Sequence, residues 1–185
     1  MQELLDADGV AQSLQRVASE IAARTGGSTG VMLIGIRRGG VPLASELKRL
    51  LAAQGGPDVP LGSVDITFYR DDAATAMPNP RIGPSQIEGS LDGRHVILVD
   101  DVLFTGRTIR AALDALLDYG RPRRVELAVL VDRGGRELPI QADYVGHRVN
   151  VPADRRVDVI ERAGRPVAIV QPFGAPSIPP PGASS

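Results

Sequence analysis

The chain contains no cysteine. That excludes a disulfide framework, a thiol nucleophile and any zinc site built on cysteine. Aromatic residues make up only 3% of the sequence, so the core it can build is aliphatic and rich in alanine. No apolar run reaches the length needed to span a bilayer, and the start, Met1-Gln2-Glu3, has neither a basic nor an apolar leader segment. A cytoplasmic protein is expected on those grounds. Charge of one sign is not in excess either. A net charge of −1 excludes a global electrostatic pull on nucleic acid and leaves room only for a local basic patch. His95 and His147 have no partner at metal-ligand spacing and read as surface or loop residues.

What is present suffices for one folded unit. At 185 residues and 43% hydrophobic content the chain is not disordered, and a single domain is expected over residues 1–170. Residues 171–185 are mostly Pro, Gly, Ala and Ser without a core-forming pattern, and read as a disordered tail.

The most informative stretch is 96–108. Val96, Ile97, Leu98 and Val99 read as a strand buried on both faces, as in a parallel sheet. Asp100 and Asp101 close it. After Val102, Leu103 and Phe104, a turn of Thr105, Gly106, Arg107 and Thr108 opens a helix. Ile109, Ala112, Leu113, Leu116 and Leu117 share one face of that helix, and Gly120 stands where a C-terminal cap belongs. Open α/β sheets bind ligands at this edge of a strand. Backbone N–H groups at the helix mouth, with the Thr105 and Thr108 hydroxyls, suit a phosphate monoester. Ionised Asp100 and Asp101 only accept, so they suit ribose hydroxyls or a magnesium ion beside them. A plain capped turn is the competing reading of the two acids taken alone. A nucleotide-binding P-loop is excluded because no lysine lies near the turn.

The rest of the chain repeats the strand–loop–helix unit. Asp8 reads as the N-cap of a helix carrying Val10, Leu14, Val17 and Ile21, stopping near Gly26-Gly27. Residues 31–36 form a buried strand, followed by Arg37-Arg38-Gly39-Gly40 and a helix with Pro42 in its first turn. Paired glycines and two arginines suit a pyrophosphate, although a plain strand-to-helix turn is the alternative. Residues 62–69 alternate as a half-exposed strand, with Val64, Ile66 and Phe68 on one side. Residues 73–90 lack periodicity and read as a lid over the site or as an exposed hairpin region. Residues 125–131 form another strand, and 157–160 with 167–170 a closing hairpin.

The run from Asp100 to Thr108 after its apolar strand resembles the phosphoribosyl-pyrophosphate-binding motif of the type I phosphoribosyltransferases. Three further segments narrow the resemblance: Asp132-Arg133-Gly134 with the following Arg136-Glu137-Leu138-Pro139-Ile140-Gln141-Ala142-Asp143-Tyr144-Val145-Gly146; Asp65-Ile66-Thr67-Phe68-Tyr69-Arg70-Asp71-Asp72; and Gly120-Arg121-Pro122. Together, over residues 8–150, they resemble the family of bifunctional pyrimidine operon attenuation regulators and uracil phosphoribosyltransferases. The resemblance implies the type I phosphoribosyltransferase fold, an α/β fold with a mainly parallel sheet flanked by helices and a flexible lid loop. It implies transfer of phosphoribosyl from phosphoribosyl pyrophosphate to uracil, giving UMP and pyrophosphate. Asp100 and Asp101 would then hold the ribose hydroxyls. Residues Val102, Leu103 and Phe104 would border the ligand, and Thr105, Gly106, Arg107 and Thr108 would anchor the 5-phosphate. Arg37, Arg38, Gly39 and Gly40 would bind pyrophosphate, with Arg70 also at the substrate, while Val131, Asp132 and Arg133 would border uracil. Mg2+ is expected to enter with the substrate, near Asp100 or Asp101. The resemblance further implies a homo-oligomer and UMP-dependent binding to a pyrimidine operon mRNA leader, with Arg16, Arg136, Arg148, Arg155 and Arg156 as the RNA contacts.

The chain departs from that family's pattern at named positions. Arg38-Gly39-Gly40 stands where Thr-Arg-Gly is usual, and Gly135 replaces a histidine. Ser19, Gln141 and His147 replace a histidine, an arginine and a lysine, and Pro152-Ala153-Asp154 replaces Pro-Thr-Ser. The lost cations bear on RNA binding, not on catalysis. Two alternatives therefore stand beside the main reading: a phosphoribosyltransferase for another base, and an enzyme that has shed RNA regulation.

Overall fold

The structure is a computed structural model describing residues 1–26, 30–70 and 85–175. Its centre is a five-stranded, all-parallel sheet in the order β3-β2-β4-β5-β6, built from β2 (Val31–Ile36), β3 (Leu61–Val64), β4 (His95–Leu103), β5 (Arg124–Asp132) and β6 (Tyr144–Arg148). Every residue of β2 is buried, as expected of a strand covered on both faces. Helices α1 (Ala7–Thr25) and α2 (Gly40–Ala53) cover one face, where Leu14, Ile21 and Leu47 meet Leu33, Ile97 and Leu130. Helix α3 (Arg107–Leu116) covers the other, with Ile109 and Leu116 against Ile34, Leu98 and Val129. Each fully buried leucine or isoleucine contributes about 1.5–3 kcal/mol through its removal from water.

A smaller antiparallel sheet, β1-β8-β7, stands at the carboxyl end of the main one. It comprises β1 (Gln2–Leu5), β7 (Arg155–Arg162) and β8 (Arg165–Pro172). Val157, Val159, Ala168 and Val170 join the α1/α2 core, so this hood is fused to the body beside the ends of β4 and β5. The expected closing hairpin is β7 and β8; β1 is its unforeseen third strand.

Several expectations are corrected. Asp6, not Asp8, caps α1: its carboxylate accepts from Gly9 N at 2.7 Å, while Asp8 sits in the first turn. β4 does not end at the acids but runs through Asp100 and Asp101 to Leu103. Helix α3 stops at Leu116, a 3-10 turn (Leu117–Tyr119) follows, and Leu113 and Leu117 are exposed. Its inward stripe keeps the expected Ile109, Ala112 and Leu116 and adds Ala111 and Ala115. The expected strand 62–69 is only Leu61–Val64, because the chain turns at 67–69 and leaves Phe68 in solvent. His95 is neither a surface nor a loop residue: it lies in β4, largely buried, and pairs at 2.8 Å with Glu126, which also accepts from Tyr144 at 2.8 Å. His147 lies half-buried in β6, a strand the sequence reading did not foresee. β8 extends two residues past the expected domain end. Most of the expected lid and of the tail lies outside the described residues. Among the described ones, no helix is long and apolar enough to cross a membrane.

Candidate active site

Three loops meet at the carboxyl edge of the parallel sheet. The first follows β2: Arg37 and Arg38, joined by a cis peptide, lead to Gly39 and the N-terminus of α2. This loop lies directly on β4. A Cβ on Gly39 would run into the Asp101 carboxylate, and one on Gly40 into the Val99 carbonyl. Only glycine permits that approach. Arg37 is further held by its N–H to Val64 O at 2.9 Å and by Nε to Ser63 Oγ at 3.4 Å.

The acids come next. Asp100 is buried and Asp101 half-buried, and each accepts a main-chain N–H, from Asp101 at 3.0 Å and from Val102 at 2.8 Å. Burial, then the Asp101 charge, pushes the Asp100 carboxyl well above the usual carboxylate range; burial raises Asp101 too. Two adjacent, poorly solvated carboxylates favour any positive charge placed beside them.

The second loop is 104–108. Gly106 has φ +93° and its position supplies no side-chain cap, so the first amides of this ten-residue helix, apart from that of Arg107, are open to an anion. Thr105 Oγ1 accepts from Arg107 N at 3.3 Å, and Thr108 stands half-buried in the same turn. The third loop, 134–141, straps this one down. Glu137 N and Leu138 N donate to Thr105 O at 3.0 and 3.1 Å, and Arg136 donates to Phe104 O at 2.9 Å.

At the end of β5 the side chains diverge. Arg133 is buried and lies 3.8 Å from the Phe104 ring centroid. It donates to the carbonyls of Arg155, Val151 and Pro152 at 2.5, 3.1 and 3.2 Å, tying β5 to the hood. Asp132 pairs with Arg136 at 2.7 Å and Arg148 at 3.3 Å, and helps line an open cavity of about 500 Å³ with Gly134, Arg136, Gln141, Arg148 and Asn150.

The structure thus brings Arg37, Arg38, Gly39, Gly40, Asp100, Asp101 and residues 104–108 to one edge. Leu103 and Val131 point into the core, so only their backbones face the site. Arg70 is exposed beside residues 71–84, which lie outside the described residues. The five arginines expected to contact RNA differ in how they are held, and two of them, Arg136 and Arg148, meet at Asp132. Arg16 donates to Gly146 O, Arg136 is held as above, and Arg156 is bonded to Asp158 at 2.9 Å and Ala175 O at 3.0 Å. Arg148 has 70% of its side chain in solvent, and Arg155 lines a second cavity of about 420 Å³ beside Glu3 and Pro152. Sequence reasoning missed Glu137, which pairs with Arg107 at 2.8 Å, and Phe173, whose ring lies 6.2 Å from that of Phe104. Only the Arg-Glu-Leu-Pro motif carried a signal for the first.

Comparison with known proteins accords with this geometry. The family model for the phosphoribosyl transferase domain matches residues 1–160. A curated protein of Geobacter sulfurreducens named "Bifunctional protein PyrR" is 51% identical over 168 residues, 90% of this chain and 95% of that protein. A protein of the same name from Thermus thermophilus is 51% identical over 153 residues, 83% of each. Among solved structures, the hypoxanthine phosphoribosyltransferase of Trypanosoma cruzi superimposes with a TM-score of 0.65 at 23% identity, covering 86% of this chain and 85% of that one. The hypoxanthine-guanine enzyme of Bacillus anthracis gives 0.65 at 19% identity, covering 80% and 84%. At that identity the two enzymes speak for the fold alone.

Proposed function

The chain belongs to the phosphoribosyl transferase domain family, and within it to the bifunctional PyrR proteins; from that premise we propose a uracil phosphoribosyltransferase that also binds RNA under the control of UMP. One observation carries the enzymatic reading: buried Asp100 and half-buried Asp101 lie between the Gly39-Gly40 loop and the open start of α3. A ribose 5-phosphate with a diphosphate at its anomeric carbon spans those three features. The 5-phosphate accepts from the amides of Gly106 and Thr108 and from the Thr105 and Thr108 hydroxyls. The ribose hydroxyls donate to Asp100 and Asp101. The diphosphate meets Arg37, Arg38 and the Gly39-Gly40 amides, and the base lies against Val102, Phe104 and the backbone of residues 131–134.

The reaction exchanges one bond at the anomeric carbon for another. The bond to the pyrophosphate oxygen breaks, uracil nitrogen bonds to the carbon, and the nitrogen's proton is lost. Positive charge grows on the sugar as the leaving group departs. Two carboxylates held in place beside it, already short of counter-charge, stabilise that charge more than they stabilise the neutral sugar. No nucleophilic side chain is required.

The two acids also fit magnesium as hard oxygen donors; among the described residues no group of three or more metal-binding side chains comes together, so the substrate's own oxygens would complete the ion's shell. Asp100 and Asp101 would hold the ion, and it would neutralise charge on the departing pyrophosphate. The substrate, the RNA leader and a cytoplasmic setting belong to one proposal, as does a homo-oligomer that brings equivalent basic surfaces together.

Incubation of the purified protein with phosphoribosyl pyrophosphate and each nucleobase tests the enzymatic part. UMP formation with uracil as the preferred base is expected. Preference for a purine would replace the uracil assignment, and no product with any base would remove the enzyme.

A further inference from the structure

The loop 134–141 touches two sites at once. On one side it holds the 5-phosphate cradle: its N–H groups at Glu137 and Leu138 bond Thr105 O, its Arg136 bonds Phe104 O, and Ile140 and Leu138 close on Gly106, where an added Cβ would lie 3.2 and 3.5 Å from theirs. On the other side it walls the 500 Å³ cavity through Gly134, Arg136 and Gln141. Asp132 joins the two, pairing with Arg136 of the strap and with Arg148 across the cavity.

One contact on this strap is sensitive to a ligand's charge. Arg107, the first residue of α3, pairs through Nε with Glu137 at 2.8 Å, and both side chains are about half exposed. A phosphate monoester seated at the start of α3 brings up to two negative charges to the same place. It attracts the Arg107 guanidinium and repels the Glu137 carboxylate, so the pair weakens when the cradle fills.

We propose that the strap 134–141 transmits occupancy of the 5-phosphate cradle to the cavity beside Asp132, with the Arg107–Glu137 pair as the point where the phosphate acts. The inference rests on the reading of the cradle given above and adds the route by which UMP acts on the cavity that Arg136 and Arg148, two of the expected RNA contacts, line. The pair separates, the strap loses one of its ties to residues 104–107, and Arg136 and Gln141 are freed to adjust to an RNA nucleotide. A charge-neutral Glu137 has no such response to phosphate.

Hydrogen exchange of the full chain, with and without saturating UMP, tests this, together with calorimetric titration of UMP into wild type and Glu137→Gln. In wild type UMP is expected to change the exchange rate of amides in 134–141 by roughly fivefold or more. In Glu137→Gln, UMP binds severalfold more tightly, because the opposing carboxylate is gone, and the change in exchange across the strap is lost. Glu137 is exposed, so the variant folds, and its melting temperature verifies this. UMP binding to wild type without any exchange response in 134–141 overturns the route while leaving the cradle intact. Unchanged UMP affinity in Glu137→Gln overturns it as well. Failure of wild type to bind UMP removes both the cradle and the route.

Discussion

Gly39 lies so close to Asp101 that a methyl group on it would enter the Asp101 carboxylate. The Arg37–Gly40 loop and the two acids are therefore one packed unit, and the shift of the arginine to Arg38-Gly39-Gly40 is compatible with it. Gly39→Ala must move either the loop or the acid. Such overpacking costs about 1–3 kcal/mol of stability. A displacement near 1 Å at a reacting centre costs about 100-fold in rate. We expect a folded, less stable protein with turnover down by that order, checked by thermal melts and pyrophosphate release. Wild-type turnover would show that the loop and the acid are not coupled.

The two acids separate activity from stability. Asp101→Asn keeps the shape and removes the charge proposed to face the ribose, so turnover should fall by about 100-fold, the scale of losing one preorganised electrostatic contact. Initial rates at saturating substrate measure it.

Asp100→Asn carries the pH dependence. The folded protein holds the Asp100 proton to a pH well above the ordinary carboxyl value of 3.8, whereas the unfolded chain releases it there. Between 3.8 and the raised folded value the native state binds more protons, so this group's effect on stability becomes less favourable as pH rises through that window. Above the window the cost is complete. Asn cannot ionise, so the variant should melt higher than wild type at neutral pH, and the difference should shrink as pH falls toward the carboxyl range. Melting curves across that span decide it, and a variant less stable than wild type at neutral pH would sink the assignment.

Gly106 has a backbone conformation that valine adopts only with strain, and Ile140 leaves no room for its side chain. Gly106→Val should weaken phosphoribosyl pyrophosphate and UMP together, since both carry the 5-phosphate, while uracil without phosphate keeps its own contacts. Calorimetry with UMP is the direct check, and unchanged UMP affinity would place the cradle elsewhere.

Local patterns were legible in the sequence and long-range ones were not. Five apolar residues and a glycine at 31–36 read as a buried strand, which β2 is, and Asp100-Asp101 followed by Thr105-Gly106 marked the carboxyl end of β4 and the start of α3. Leu113 and Leu117 misled because α3 meets the sheet through Ala111, Ala112 and Ala115, small residues that give a weaker apolar signal than the exposed leucines beside them. β1 and β6 were missed because each is four or five residues long and only partly apolar, stabilised by a neighbour distant in sequence. The Arg107–Glu137 pair joins residues 30 apart, and no spacing rule reaches that far.

The last prediction concerns RNA. Affinity for nucleic acid rests on cations free to meet phosphates, and each contact with a single strand contributes about 0.7 to the salt slope. Ser19, Gln141 and His147 stand where the family carries cations, so fewer contacts are available here. The structure sorts the remaining arginines. Arg16 is held by the Gly146 carbonyl, Arg136 by Asp132 and two carbonyls, and Arg156 by Asp158 and the Ala175 carbonyl. Arg148 has most of its side chain in solvent despite a 3.3 Å contact with Asp132. Arg148→Ala should therefore weaken RNA binding and lower the salt slope by about 0.7. Arg156→Ala should instead lower the melting temperature, because it removes a partner from Asp158 and from the Ala175 carbonyl, and leave the slope unchanged. Filter binding of labelled leader RNA over a salt series, with and without UMP, distinguishes the two. A slope lost with Arg156 and kept without Arg148 would move the RNA face to the hood; a flat salt response in wild type, or no effect of UMP at any salt, would leave an enzyme without the regulatory function.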